Sequence, residues 1–232
     1  MDLGSGEYVI ISSCLKSPYD LEKIKKLITN LMSFSVDFDE TCYLKTSPST
    51  VSFNEVWEGV EDFTAGFSYD LVSVNVLSSV DMIFLKEIPA RLNIMFLDEE
   101  SYEVSLSLNY SELIEEEIDC SQKKRKCDFL ERLALTLFES LNPIYGMLGI
   151  ESSVVGLKDI STGGVTLPLD KVFFNNSCIN DKTKLLEIIS SAHFFKECDP
   201  IGIYFRYSEV DDFRSFKSEE YRPVFEKLIH LS

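Results

Sequence analysis

The feature that most constrains this chain is a periodic apolar segment, residues 128–151, with the sequence DFLERLALTLFESLNPIYGMLGIE. Its apolar residues recur every three or four positions, which is the spacing of one face of an α-helix. The members of this face are Phe129, Leu130, Leu133, Leu137, Phe138 and Leu141. Asn142-Pro143 ends the helix, because a proline disfavours helical backbone in the residue before it. The apolar run 144–150 then predicts a strand, so the segment predicts a core helix that leads into a sheet.

Strand patterns surround this helix without a regular alternation of strands and helices. The clearest is a hairpin of residues 91–97 and 102–110, joined by the turn Asp98-Glu99-Glu100-Ser101. In its second arm polar and apolar residues alternate, which predicts one sheet face that is wet or lined with small polar groups. The polar members are Glu103, Ser105, Ser107 and Asn109. We therefore predict the α+β class, as a single domain over residues 1–232 whose largely antiparallel or mixed sheet is flanked by amphipathic helices.

Other segments divide between strands and helices. Further strands are predicted at residues 8–13, 35–46, 71–77, 170–174 and 201–207, with a bulge near Glu40 and with 170–174 at a sheet edge. Further helices are predicted after a Ser17-Pro18 cap and at residues 53–63, 182–192 and 219–231. Residues 79–88 also suit a strand, but a serine cap before them and Pro89 after them favour a helix. The basic run 123–126 is predicted to lie in a solvated loop.

The charge balance is strongly acidic, with 39 acidic against 22 basic side chains and a formal net charge of −17. Disorder does not explain this balance, because the acidic residues are interleaved with aliphatic and aromatic ones and 45% of the chain is hydrophobic. A field of this sign repels nucleic-acid phosphates, so we predict no nucleic-acid binding. The same field raises the encounter rate with a basic protein, although solubility alone also explains a high net charge.

The sequence carries no pattern typical of a membrane or secreted protein. No run approaches the ~20 apolar residues of a membrane-spanning helix, and the acidic beginning is unlike a secretory signal. Without such a signal, six dispersed cysteines predict reduced thiols. We therefore predict a cytoplasmic protein with no membrane contact.

The residues that most often carry catalysis or bind metals are few and widely spaced. The chain has only two histidines, His193 and His230. A Cys-His pair is geometrically possible, but no spacing supports it. The spacings of Cys120 with Cys127 and of His193 with Cys198 are unlike the close pairs of structural zinc sites. We therefore predict no catalytic residue, no metal centre and no cofactor.

Three short clusters of carboxylates are the candidate contacts for a basic partner. They are Asp37, Asp39 and Glu40 in a predicted strand, Asp98, Glu99 and Glu100 in the hairpin turn, and Glu115 and Glu116 in the charged connector. Asp37 and Asp39 share one face of their strand, a spacing that hard-cation sites also use. A half-exposed strand with a wet acidic face explains the same pattern.

The core helix segment also carries a family resemblance. An amphipathic helix that runs into Leu141-Asn142-Pro143, followed by Tyr145-Gly146 and Glu151, resembles the middle of bacterial toxin-immunity proteins of α+β type. The resemblance implies a small acidic cytoplasmic protein that binds and blocks a cognate toxin and has no catalysis of its own. It transfers no site residue, because the sequence matches no site motif of those proteins.

Two functional hypotheses follow from the sequence, beside the plainer interpretation of an α+β protein without an assigned role. The first is a non-enzymatic, immunity-like module whose acidic face binds a basic protein. The second is a metal-dependent enzyme in which Asp37, Asp39 and another carboxylate hold Mg²⁺ or Mn²⁺, with the loop 154–168 as a lid.

Thermal melting separates these two hypotheses. If Asp37 and Asp39 bind Mg²⁺ or Mn²⁺, either cation raises the melting temperature, because a ligand that binds only the folded state stabilises it. Asp37→Asn combined with Asp39→Asn then abolishes the rise, whereas Glu99→Gln, in another cluster, leaves it intact. The binding-module hypothesis expects the same melting curve with and without the cation, and that result rejects the metal-dependent enzyme.

Overall fold

One antiparallel sheet of ten strands runs through the described part of the chain. The structure is a computed structural model that describes residues 8–18, 20–34, 36–43, 50–52, 76–84, 88–109, 113, 120–150, 154–158, 171–178, 183, 185, 187, 190 and 192–208. The strands are β1 Tyr8–Lys16, β2 Val36–Tyr43, β3 Thr50–Ser52, β4 Val76–Phe84, β5 Ile88–Asp98, β6 Ser101–Asn109, β7 Tyr145–Ile150, β8 Lys171–Asn175, β9 Phe194–Cys198 and β10 Gly202–Arg206. Their order across the sheet is β3-β2-β4-β5-β6-β1-β7-β8-β10-β9.

β1 lies inside the sheet and is covered on both of its faces. It pairs antiparallel with β6 on one side and with β7 on the other. Val9 and Ile11 lie on one face, which we call the helix face, and both are 0% exposed. Ser12 and Cys14 lie on the opposite face and are also 0% exposed. Each face therefore needs its own covering elements.

Two helices cover the helix face, α1 (Leu21–Leu31) and α2 (Cys120–Leu141). α1 begins after Asp20, whose carboxylate accepts hydrogen bonds from the backbone N–H groups of Glu22 and Lys23 at 3.0 and 3.3 Å. The buried residues of α1 belong to the same core cluster as those of α2 and β1. They are Ile24, Leu27, Ile28 and Leu31. Helices and sheet thus share one continuous core, and the α+β class with an antiparallel sheet is confirmed.

α2 approaches the sheet closely at a glycine. Phe138 of α2 stacks on Phe173 of β8, with ring centroids 5.1 Å apart. Gly146 of β7 lies against the same Phe138 ring, and a Cβ atom at this position would overlap that ring. Gly146 therefore permits the close backbone approach that a glycine within a strand indicates.

Most of the predicted elements on described residues are confirmed. The predicted strands at 8–13, 35–46, 144–150 and 201–207 and both hairpin arms correspond to β1, β2, β7, β10, β5 and β6. The bulge near Glu40 corresponds to a shift of register between Phe38 and Cys42. Residues 183, 185, 187 and 190 of the predicted helix 182–192 are helical. The predicted helices 53–63 and 219–231 lie outside the described residues, as do strand residues 71–75.

Three predictions differ from the structure because capping and turn signals were given too much weight. Of the predicted helix 79–88, residues 79–84 are strand, since β4 occupies Val76–Phe84 between β2 and β5. Neighbours on both sides stabilise its β-branched and aromatic residues as a strand. Asp20, rather than Ser17, caps α1. The hairpin is also tighter than predicted, because Glu99 and Glu100 alone separate β5 from β6.

Three further differences concern the second half of the chain. Residues 170–174 were predicted as an edge strand, but β8 lies between β7 and β10 and all five of its residues are buried. The strand β9 has no clear alternation and was not predicted. α2 begins at Cys120, so the basic run 123–126 is helical rather than a loop. Helix formation there is compatible with good intrinsic propensities of Lys and Arg.

Leu133 tests the assignment of the buried face of α2, because its side chain is 0% exposed in the core. We expect Leu133→Ala to lower the free energy of unfolding by ~2–5 kcal/mol through lost burial and a residual cavity. Gln122→Ala, at an exposed position of the same helix, is the control, and we expect a change within ~0.5 kcal/mol. Denaturant unfolding measures both, and a near-neutral Leu133→Ala would contradict this packing.

Candidate functional site

The face of the sheet opposite the helices carries a buried polar patch, which comprises Ser12 of β1 and Ser101, Glu103 and Ser105 of β6. These four residues are 0–3% exposed. The register places Ser12 opposite Ser105, and it places Glu103 opposite Cys14. The alternation in β6 left two alternatives for this face, a wet surface or a lining of small polar groups. The structure shows the second alternative at the patch, because its polar residues are buried. Buried polar groups of this kind require hydrogen-bond partners.

Residues 154–158, which we call the strap, supply several of these partners. The backbone N–H of Val154 donates to Ser12 Oγ at 3.1 Å. The backbone N–H of Leu157 donates to Ser101 Oγ at 3.1 Å. Because Ser12 lies on β1 and Ser101 on β6, the strap spans two strands and joins them across the sheet face.

Asp98 fixes the far end of the strap to the hairpin turn. Its carboxylate accepts hydrogen bonds from the Lys158 N–H at 3.0 Å, the Glu100 N–H at 2.9 Å and the Ser101 hydroxyl at 2.7 Å. Burial raises the pKa of Asp98, but these hydrogen bonds outweigh burial and hold the pKa below its ordinary value. Gly156 lies so close to the Asp98 carboxylate that a Cβ atom would overlap it.

Tyr145 of β7 anchors the middle of the strap. Its hydroxyl accepts from the Val155 N–H at 2.7 Å and donates to the Val155 carbonyl at 2.7 Å. Burial raises the pKa of Tyr145 well above its ordinary value, so the hydroxyl keeps its proton and can act as a donor. Apolar contacts complete the attachment, since Val154 and Leu157 share a buried cluster with Cys14 and Tyr145.

Glu103 differs from every other member of the polar patch. Its side chain is 1% exposed, and neither carboxylate oxygen has a hydrogen-bond partner. Burial raises the pKa of Glu103 to about 7, and its interaction with the nearby Ser105 hydroxyl only partly opposes the rise. An isolated buried carboxylate is costly, so the group favours its neutral form.

The carboxylates predicted as binding contacts are only partly brought together. Glu99 and Glu100 are exposed on the hairpin turn beside Asp98. Asp98 itself is half-buried, and its oxygens accept hydrogen bonds from within the protein. Asp37, Asp39 and Glu40 lie on β2, which β4 separates from β5, and their side chains are outside the description. Glu115 and Glu116 lie outside the described residues.

Sequence reasoning did not select Glu103 as a site residue. The signal that could have found it is a single long carboxylate among serines on one face of a predicted strand. Small hydroxyl residues at alternate positions suit a covered face better than a solvated one, where longer charged side chains are common. A lone glutamate on such a face is therefore a candidate for a buried ionisable group.

The described residues show neither a metal-ligand cluster nor a membrane-spanning helix. Within them, no group of three or more His, Cys, Asp and Glu side chains is arranged to hold a metal ion. No helix in this part of the chain is long and apolar enough to cross a membrane. Cys14, Cys127 and Cys198 are not joined in disulfides there.

The sequence matches no protein-family model and no curated protein. Among solved structures, the chain is similar to one described as the Pseudomonas aeruginosa T6SS protein PA0821, with a TM-score of 0.48 and 11% sequence identity. The similarity covers 86% of this chain and 65% of that chain, so this chain spans just under two thirds of that protein's length.

Glu103→Gln tests the buried carboxyl group through the pH dependence of stability. The pKa of Glu103 is raised from 4.5 to about 7 by folding, so its ionisation favours the unfolded state and stability is lost as the pH rises through this window. We expect Glu103→Gln to increase the free energy of unfolding by about 1–3 kcal/mol near pH 8 and to change it little near pH 4.

Denaturant unfolding at several pH values measures this difference. Glu99→Gln removes an exposed carboxylate from the adjacent turn and should follow the wild-type curve. An equal effect of Glu103→Gln at high and low pH would contradict a buried carboxyl group without a partner.

Proposed function

We propose that this protein is a non-enzymatic, acidic protein-binding module, an immunity-like inhibitor that acts on a basic partner in the cytoplasm. The observation that carries the proposal is the pair of exposed carboxylates, Glu99 and Glu100, held on a braced turn of a chain with a net charge of −17. The resemblance of residues 129–151 to toxin-immunity proteins supports the inhibitory role.

The turn that carries this pair is braced on two sides. The Glu100 carbonyl accepts a hydrogen bond from the Ser17 N–H at 2.8 Å, which ties the turn to the end of β1. The Asp98 carboxylate accepts from the Lys158 N–H of the strap at 3.0 Å. A partner that binds Glu99 and Glu100 therefore has little backbone to immobilise, and pre-organisation of this kind lowers the entropic cost of association.

The charge of the whole chain supports the choice of a basic partner. A net charge of −17 attracts a cationic protein before contact and increases the association rate. The attraction is screened over about 8–10 Å at physiological ionic strength, so it depends strongly on salt. Lys and Arg side chains of the partner are the chemical complement of Glu99 and Glu100.

Capture from a lysate of the source organism tests the role in binding. We expect the tagged protein to retain a basic protein at about 0.05 M salt and to lose most of it at about 0.5 M salt, because exposed charge pairs are screened. Glu99→Gln combined with Glu100→Gln should weaken retention at low salt. Glu187→Gln combined with Glu197→Gln removes the same charge from exposed positions elsewhere and is the matched control.

Two outcomes would contradict the proposal. Retention that does not change with salt would show that electrostatic attraction does not drive binding. Equal losses in the two double variants would show that net charge, rather than the hairpin turn, is responsible.

Co-expression with the product of the neighbouring gene tests the inhibitory role, and we expect the protein to restore growth if that product is toxic.

A further inference from the structure

The path of the strap takes it across the row of the sheet that contains Glu103. The register of β1 and β6 gives three successive rows on this face, which are Ser12 with Ser105, Cys14 with Glu103, and Lys16 with Ser101. The strap is bonded to the first row through Ser12 and to the third through Ser101. It therefore crosses the middle row, where Glu103 lies.

The strap bonds to groups around Glu103 but not to Glu103 itself. Four of its backbone N–H groups donate to Ser12, Tyr145, Ser101 and Asp98. Both oxygens of the Glu103 carboxyl group are without a hydrogen bond, and the side chain is 1% exposed. The docked strap thus closes over a carboxyl group without supplying a donor to it.

No described charged group near Glu103 compensates a negative charge there. The titratable or charged side chains of the surrounding elements on this face are Tyr8, Cys14 and Lys16 of β1, Arg91 and Asp98 of β5, Tyr145 of β7 and Lys158 of the strap. None of them is hydrogen bonded to Glu103. Arg91 lies opposite Ser107, two rows away, and the Lys158 side chain is exposed at the far end of the strap.

We propose that Glu103 makes the docking of the strap dependent on protonation, so that the strap is docked while this carboxyl group is neutral and is released when it ionises. An ionised carboxylate gains hydration when the strap leaves, because water then reaches both of its oxygens. The neutral group loses little by burial. Release separates the Val154 and Leu157 side chains from their apolar cluster and exposes the polar patch.

Amide hydrogen exchange measures the docking of the strap directly. We expect protection of the Val154, Val155, Leu157 and Lys158 amides, corrected for the intrinsic effect of pH, to fall at least ~tenfold between about pH 5 and about pH 8. Protection of the Ile11 and Leu106 amides, in the neighbouring strands, should remain higher than that of the strap at both pH values, because the strap opens without global unfolding. Glu103→Gln should keep the strap protected at both pH values, and Glu99→Gln should behave as the wild type.

Three results would overturn the proposal. The first is a strap whose protection is the same at both pH values. The second is a strap whose amides are as protected as those of Ile11 and Leu106 at both pH values, which would indicate that the strap opens only through global unfolding. The third is a pH dependence that Glu103→Gln does not change.

A second measurement uses only the wild-type protein, in case Glu103→Gln does not fold. We expect the ¹³C resonance of the Glu103 carboxyl carbon to titrate with the same midpoint as the amide resonances of the strap. A midpoint near ~4.3, the ordinary value for glutamate, would also overturn the proposal.

Discussion

β1 is buried on both of its faces, so the fold must provide a separate covering layer for each face. On the helix face the cover is apolar, because Val9 and Ile11 meet the core side chains of α1 and α2. On the opposite face Ser12 and Cys14 need a cover that can also donate hydrogen bonds. The strap meets this need, since its backbone N–H groups donate to the serine hydroxyls of this face. The helices are thus held by apolar packing, whereas the strap is also held by hydrogen bonds to the sheet face.

Asp98 belongs both to the hairpin turn and to the attachment of the strap. Its carboxylate accepts from the Glu100 N–H within the turn and from the Lys158 N–H of the strap. The Asp98 carboxylate therefore links the turn that carries Glu99 and Glu100 to the strap. Glu103 lies two residues beyond Ser101 on β6, so a buried ionisable group, the strap and the acidic turn form one connected unit.

The sequence was sufficient to predict the elements whose pattern is local. The periodicity around Leu133 and the alternation in β6 each define one buried face, and α2 and the β5–β6 hairpin have the predicted faces. β4 was missed, because the preference of residues 79–84 for a strand comes from pairing with β2 and β5, which are distant in sequence. β8 was placed at an edge for the same reason.

The candidate site was less predictable than the fold. Acidic clusters in the sequence indicated Asp98, Glu99 and Glu100, but only the structure separates the bonded Asp98 from its two exposed neighbours. Glu103 is buried on the sheet face that the strap crosses, and the strap follows it by some fifty positions in the printed sequence. Its lack of a hydrogen-bond partner is a tertiary property. No local pattern encodes it.

The central place of β1 also bears on how the chain assembles during synthesis. β1 is made before both of its partners, and Val9 pairs with Leu108 of β6 and with Ile150 of β7. A ribosome adding about 5–20 residues each second would complete β6 several seconds after β1. During that interval the apolar and hydrogen-bonding groups of β1 lack their final neighbours, which exposes a β-rich segment to non-native pairing. β1 is therefore synthesised first but can pair fully only after β6 and β7 have been made.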